Sequence, residues 1–129
     1  MNYAIQINSS PYASNAGYHA YQFIKTALLM KHEVFRVFFY QEGIYHALHH
    51  ASPPDDERHL TVLWSELAAE YSVDLVVCIS AAQRRGLLHQ DEAVKQQKQG
   101  DDLAAGFRIS GLGQLVEATL KAERFIVFG

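Results

Sequence analysis

The sequence predicts one α/β domain over residues 1–129, a three-layer αβα arrangement around a mostly parallel sheet of about five strands. Three observations predict it. Short apolar runs rich in β-branched and aromatic residues alternate with stretches whose apolar residues recur at helical spacing. Right-handed crossovers between such strands place helices on both faces of a sheet. No internal repeat or linker divides the chain, and at this length folding removes roughly two-thirds of the unfolded surface from water, enough for one core.

The elements follow in order. Tyr3–Ile7 alternates weakly and ends at the turn formers Asn8-Ser9-Ser10-Pro11, which reads as a strand entering a loop. Ala20, Phe23, Ile24, Ala27 and Leu28 lie on one face of a helix. Val34–Tyr40 is a second strand, broken by Glu42-Gly43. Between Tyr45 and Pro54 lies a histidine-bearing loop or short helix, closed by two prolines. Asp55 or Asp56 is then placed to cap a helix with the stripe Leu60, Leu63, Trp64, Leu67, Ala68 and Tyr71, and Asp55-Asp56-Glu57 suits the positive end of that helix.

Asp74–Ile79 is nearly continuous in apolar residues, as a central parallel strand covered on both faces should be, and Ser80–Gly86 reads as a helical turn ended by glycine. The polar stretch 87–106 is expected to be a mobile, lid-like loop or a short exposed helix. Phe107–Ile109 is a strand, and Ser110 is expected to cap a helix whose inward stripe is Leu112, Leu115, Val116 and Thr119. Arg124–Phe128 is the last strand.

Composition excludes several classes of function. The apolar fraction of 49% and charged fraction of 19% are those of a soluble globular protein. No run approaches the ~18 apolar residues that cross a bilayer, and the first residues lack the basic region of a signal peptide, so no membrane association and a cytoplasmic location are expected. A net charge of −3 with no long basic run argues against direct binding of nucleic acid. One cysteine cannot form an internal disulfide, which leaves packing or thiol chemistry as its use.

Cys78 is the main chemical candidate. Free cysteine often serves as a small buried hydrophobe. Here, however, it lies where a strand gives way to a helix, beyond the carboxyl ends of the strands where open α/β sheets build their sites, and a helix start favours a thiolate. Arg84 and Arg85 follow too far along a straight helix to touch the sulfur, and they read either as a solvated helix end or as a docking surface for an acidic partner. His46, His49 and His50 have the spacing of one helical face, but surface histidines in a loop explain them more simply, and no metal or cofactor is expected. Ser110-Gly111-Leu112-Gly113 resembles part of a phosphate-binding turn without its third glycine, and reads as a closely packed helix start. A hydrolase would need the small residues of a nucleophile elbow around Val77-Cys78-Ile79, which are absent. Phe38–Tyr45 is rich in aromatics and poor in charge, as an interface rim would be.

The segment Val76–Gly86 resembles the active-site segment of the DsrE/TusD family of sulfurtransferase subunits. The resemblance continues through Phe38–Ile44, Ser52–Glu57 and Ser110–Ala118, nearly the whole chain in order, although a glycine that often precedes the Pro-Tyr pair of the first loop is replaced by Ser10. It implies a DsrE-like fold with flavodoxin-like layering, and a cysteine at position 78 that carries sulfane sulfur as a persulfide. It also implies a heterohexamer with two homologous subunits, DsrF/TusC-like and DsrH/TusB-like, and exchange of sulfur with a DsrC/TusE-like protein. Two settings are implied: cytoplasmic dissimilatory sulfur oxidation, as for DsrE, or 2-thiolation of the tRNA wobble uridine, as for TusD. Phe35–Phe38, Pro53–His59 and Phe107–Ser110 look closer to DsrE. A reading of another class is a structural subunit of the same complex in which Cys78 is inert.

Overall fold

The computed structural model describes residues 1–129. Five strands, β1 (Asn2–Ile7), β2 (Glu33–Phe39), β3 (Leu75–Cys78), β4 (Phe107–Ser110) and β5 (Arg124–Phe128), form one sheet in the order β4-β3-β2-β1-β5. Every neighbouring pair is parallel. The helices are α1 (Ala16–Leu29), α2 (Leu60–Tyr71), α3 (Ile79–Arg84), α4 (Gln90–Lys95) and α5 (Gly113–Lys121), and a 3-10 helix spans Gln41–Ala47 after β2.

The strand order explains the layers. From β1 to β4 the chain steps one way across the sheet, so right-handed crossovers put α1 and α2 on the same face; the return from β4 to β5 puts α5 on the other. Strand alternation agrees. Val37 and Phe39 point to the α1/α2 side, where Phe39 meets Trp64 and Trp64 meets Tyr21, each edge to face. Arg36, by contrast, points to the α5 side and donates to the Gln114 carbonyl and the Glu117 carboxylate. Ile5, Ile7, Ile24, Phe38, Trp64, Val76 and Leu75 are fully or almost fully buried, and at about 1.5–3 kcal/mol for each large side chain they dominate the stability of the fold.

Several boundaries differ from the sequence reading. α2 begins at Leu60 with His59 at its cap position and no side-chain cap, while Asp55 and Asp56 lie in a separate turn after the prolines. Burial of Leu60 and Trp64 sets the start of that helix, and the acidic cluster does not. Ser110 is not a cap: its backbone pairs with Cys78 in the sheet, and α5 starts three residues later. Gly111 and Gly113 have open space around them, so this helix start is not closely packed. In α5, Leu115 turns inward with Gln114 and Ala118, whereas Leu112, Val116 and Thr119 are exposed, because the bonds from Arg36 fix the rotation of the helix.

The stretch 87–106 is folded. α4 forms the expected short helix, and Asp102 pins both ends of the excursion. Its carboxylate accepts from the Leu88 amide, its amide donates to the Leu88 carbonyl, and its carbonyl accepts from the His49 amide. The Ala104 amide donates to Ala47, and Leu48 bridges to Leu103. A free lid is therefore replaced by an anchored flap.

Candidate functional site

Cys78 ends β3, an interior strand flanked by β2 and the edge strand β4, and is the cap residue of α3. A continuous apolar strand followed by Ala81 and Ala82 produces this geometry: the strand is covered on both faces, and small residues let the first turn of α3 lie close to its end. Val76 and Cys78 alternate onto the same side as Phe38 and Arg108, the side that α5 covers. The sulfur is wholly buried, and its side-chain partner is the Ser80 hydroxyl at 3.5 Å.

The two arginines differ. Arg85 is engaged inside the molecule: its guanidinium contacts the Glu42 carboxylate at 2.8 Å and donates to the Ala81 carbonyl, tying α3 to the 3-10 helix after β2. Arg84 is exposed and makes no side-chain hydrogen bond or ion pair. Only Arg84 is thus free to meet another molecule. Gly86, with φ of 81°, ends the turn as the sequence suggested.

The histidines do not gather. His49 and His50 are exposed and packed on each other, while His46 is fully buried, contrary to a surface reading. The Trp64 indole N–H, a donor only, meets His46 Nδ1 at 3.1 Å, so the ring proton sits on Nε2 and is donated to the Ser9 carbonyl at 3.1 Å. Burial pushes the His46 ring down to about 4, against the smaller upward pull of the Ser9 carbonyl. A neutral ring thereby fastens the loop after β1 to α2, and Gly17 is required because a Cβ there would overlap it.

One charged cluster was not singled out from the sequence. Arg36 Nε lies 2.6 Å from Asp74, Arg108 lies 2.7 Å from the same carboxylate, and Arg36 also reaches Glu117 at 3.0 Å. Burial raises Asp74, but the hydrogen bonds and charges of Arg108 and Arg36 outweigh it and hold the carboxyl below its ordinary value. Its sequence signal was an arginine inside the apolar run of β2 and an aspartate at the head of a buried strand. Of the expected rim at Phe38–Tyr45, Phe38, Phe39 and Ile44 are fully buried, Tyr40 and Tyr45 are half-buried, and Gln41 and Glu42 are the exposed residues. A group of exposed apolar residues lies on the α5 side: Leu112 at the cap position of α5, Val116 and Leu120 at successive turns along it, and Phe125 and Val127 on the edge strand β5.

An open parallel α/β domain that ends a buried interior strand in a lone, buried cysteine defines a thiol-bearing protein without a nucleotide loop. The chain belongs to the DsrE/DsrF-like family, whose model matches residues 1–128. It is similar to a DsrE protein of Allochromatium vinosum, named as a candidate sulfurtransferase, with 50% identity over 129 residues that cover 100% of this chain and 99% of that one. A sulfurtransferase TusD homolog of Aliivibrio fischeri is 39% identical over 126 residues, covering 98% and 97% of the two chains. The crystal structure of the YchN protein of E. coli shares the fold, with a TM-score of 0.80, 18% identity and 99% of each chain covered.

Proposed function

We propose that the protein is a sulfurtransferase subunit that carries sulfane sulfur as a persulfide on Cys78 and relays it to or from a DsrC/TusE-like protein. The observation that carries this reading is the position of the chain's single cysteine, at the carboxyl end of the buried interior strand β3, in a chain half identical along its whole length to a DsrE protein. Cytoplasmic sulfur oxidation is the favoured setting, since identity to DsrE is 50% against 38–41% for the TusD homologs. Those homologs also match nearly the whole chain, which supports tRNA thiolation as the second reading. A carrier thiol has to stay reduced between turnovers, which fits the cytoplasm.

Burial of the sulfur adds a requirement. An acceptor thiolate must approach a persulfide in line, so α3 has to move for transfer to occur. The Arg85–Glu42 pair is the polar clasp that such opening breaks, and exposed Arg84 is the positive group placed to guide an acidic acceptor. Two homologous subunits, DsrF/TusC-like and DsrH/TusB-like, are the proposed partners, and the apolar side formed by α5 and β5 is the surface they would cover.

Incubation with polysulfide, followed by mass spectrometry of the intact chain, tests the carrier reading. Sulfur atoms should add to wild type and leave on treatment with dithiothreitol. If Cys78→Ser gains the same mass, the sulfur sits elsewhere and the reading fails. A Cys78→Ser subunit that sustains sulfur relay in the assembled complex would favour the inert structural role.

A further inference from the structure

We propose that Ser80 is a catalytic residue of sulfur release, its hydroxyl donating a hydrogen bond to the Cys78 sulfur as the persulfide bond breaks. This rests on the carrier reading above. Ser80 Oγ lies 3.5 Å from Cys78 Sγ, within reach of a hydrogen bond to sulfur, and makes no other side-chain hydrogen bond. The sulfur is wholly buried and Ser80 is exposed, so the hydroxyl joins a buried reacting atom to the solvent side of the turn.

The surroundings leave this group without a competitor. Val76, Val77, Ala81, Ala82 and Leu87 are buried and apolar. Arg85, the nearest cation in sequence that is directed inward, is held by Glu42 and the Ala81 carbonyl. A hydroxyl rotates to suit its partner, accepting from a neutral thiol and donating to a thiolate, and a bond to a charged atom is roughly twice as strong as a neutral one. Ser80 is therefore worth most when negative charge is on Sγ.

Release creates that charge. The acceptor thiolate attacks the outer sulfur of the neutral persulfide Cys78–S–SH; a new S–S bond forms to the acceptor, and the bond between the two Cys78-borne sulfurs breaks. The electron pair stays on Sγ, the outer sulfur keeps its proton, and the products are an acceptor persulfide and the Cys78 thiolate. A donor that stabilises the leaving thiolate speeds this step. In loading, the same bond stabilises the attacking thiolate, which gains in population and loses in nucleophilicity, so the effect there is smaller.

The test is single-turnover release from polysulfide-loaded protein to reduced glutathione. Ser80→Ala should lower the saturating release rate by about tenfold, the size of one charge-assisted hydrogen bond. The half-saturating glutathione concentration and the thermal midpoint should be unchanged, and Ser80→Thr, which keeps the hydroxyl, should restore most of the rate. Release from Ser80→Ala at the wild-type rate, or equal slowing in Ser80→Thr, overturns the role of the hydroxyl while leaving the carrier reading intact. A wild type that takes up no sulfur on Cys78 overturns both.

Discussion

The two ends of β3 are built in opposite ways. At its amino end Asp74 is held by two arginines at 2.6–2.7 Å, one of them buried and itself shared with Glu117 and Gln114. At its carboxyl end, four residues on, Cys78 is more deeply enclosed than the half-buried Asp74 but has a single rotatable hydroxyl beside it. A charge with every partner in place is a fastener, and it locks β2, β3, β4 and α5 together. A sulfur with one loosely directed donor can change its bonding partner at small cost. The rigid end supports the end that carries the thiol.

Breaking the amino end should give the largest effect. Asp74→Ala leaves Arg36 buried with one of its two carboxylate partners, and urea denaturation should show a loss of about 3 kcal/mol. A loss under about 0.5 kcal/mol would mean that the cluster behaves as a surface pair. The variant that stays folded should still load sulfur on Cys78, since the two ends do different work.

Acid should separate the fasteners by pH. His46 titrates at about 4 when folded and at its ordinary value near 6.5 when unfolded, so the unfolded chain binds more protons between those values. Stability should therefore fall as pH drops from about 6.5 to about 4, by roughly 3 kcal/mol, and His46→Gln should flatten that slope. Asp74 acts lower: its carboxyl is depressed on folding, so its contribution is present above its unfolded value of about 3.9 and is lost as pH falls further. Asp74→Asn should remove only that second phase. Denaturation midpoints across pH 3 to 7 distinguish the two, and a wild-type curve that is flat over the upper window would contradict the buried neutral ring.

At the carboxyl end the expected effects are kinetic. Arg84→Glu should slow transfer to a DsrC/TusE-like acceptor by about tenfold at low salt and much less at high salt, with loading by polysulfide unaffected, because an exposed charge acts on association. Equal slowing at all salt concentrations would place Arg84 inside the reaction instead. The same reversal at Arg85 is not equivalent, since it breaks the pair with Glu42. Glu42→Gln should change stability least, by under about 1 kcal/mol for a pair this exposed, while raising the rate at which a thiol reagent reaches Cys78 in the folded protein. No increase in that rate would remove the clasp from the opening motion.

Much of this was legible in the sequence, and for local reasons. Each strand is a short run whose own residues carry the pattern, so all five were placed, and Cys78 was placed at a strand end because Leu75–Ile79 is apolar and small residues follow. Pairings between distant residues left no such mark. Arg85 and Glu42 are 43 positions apart, and Arg36, Arg108 and Glu117 come from three elements with Asp74 just before a fourth. The turning of α5 follows from that cluster, so its own apolar pattern pointed the wrong way: Leu112 and Val116 read as core and are surface. His46 was misread for the same reason, because its partners Ser9 and Trp64 lie outside the histidine-rich segment.

The most direct measurement follows sulfur through the thiol. The protein is loaded with radiolabelled sulfane sulfur, freed of donor, and mixed with a thiol acceptor, and the label on each molecule is counted over time. Label should leave the wild type in step with its appearance on the acceptor, one sulfur for each one lost, and Cys78→Ser should neither hold nor pass label. Label that passes equally well through Cys78→Ser, or that stays on wild type while the acceptor remains unlabelled, would contradict a sulfur carrier at Cys78.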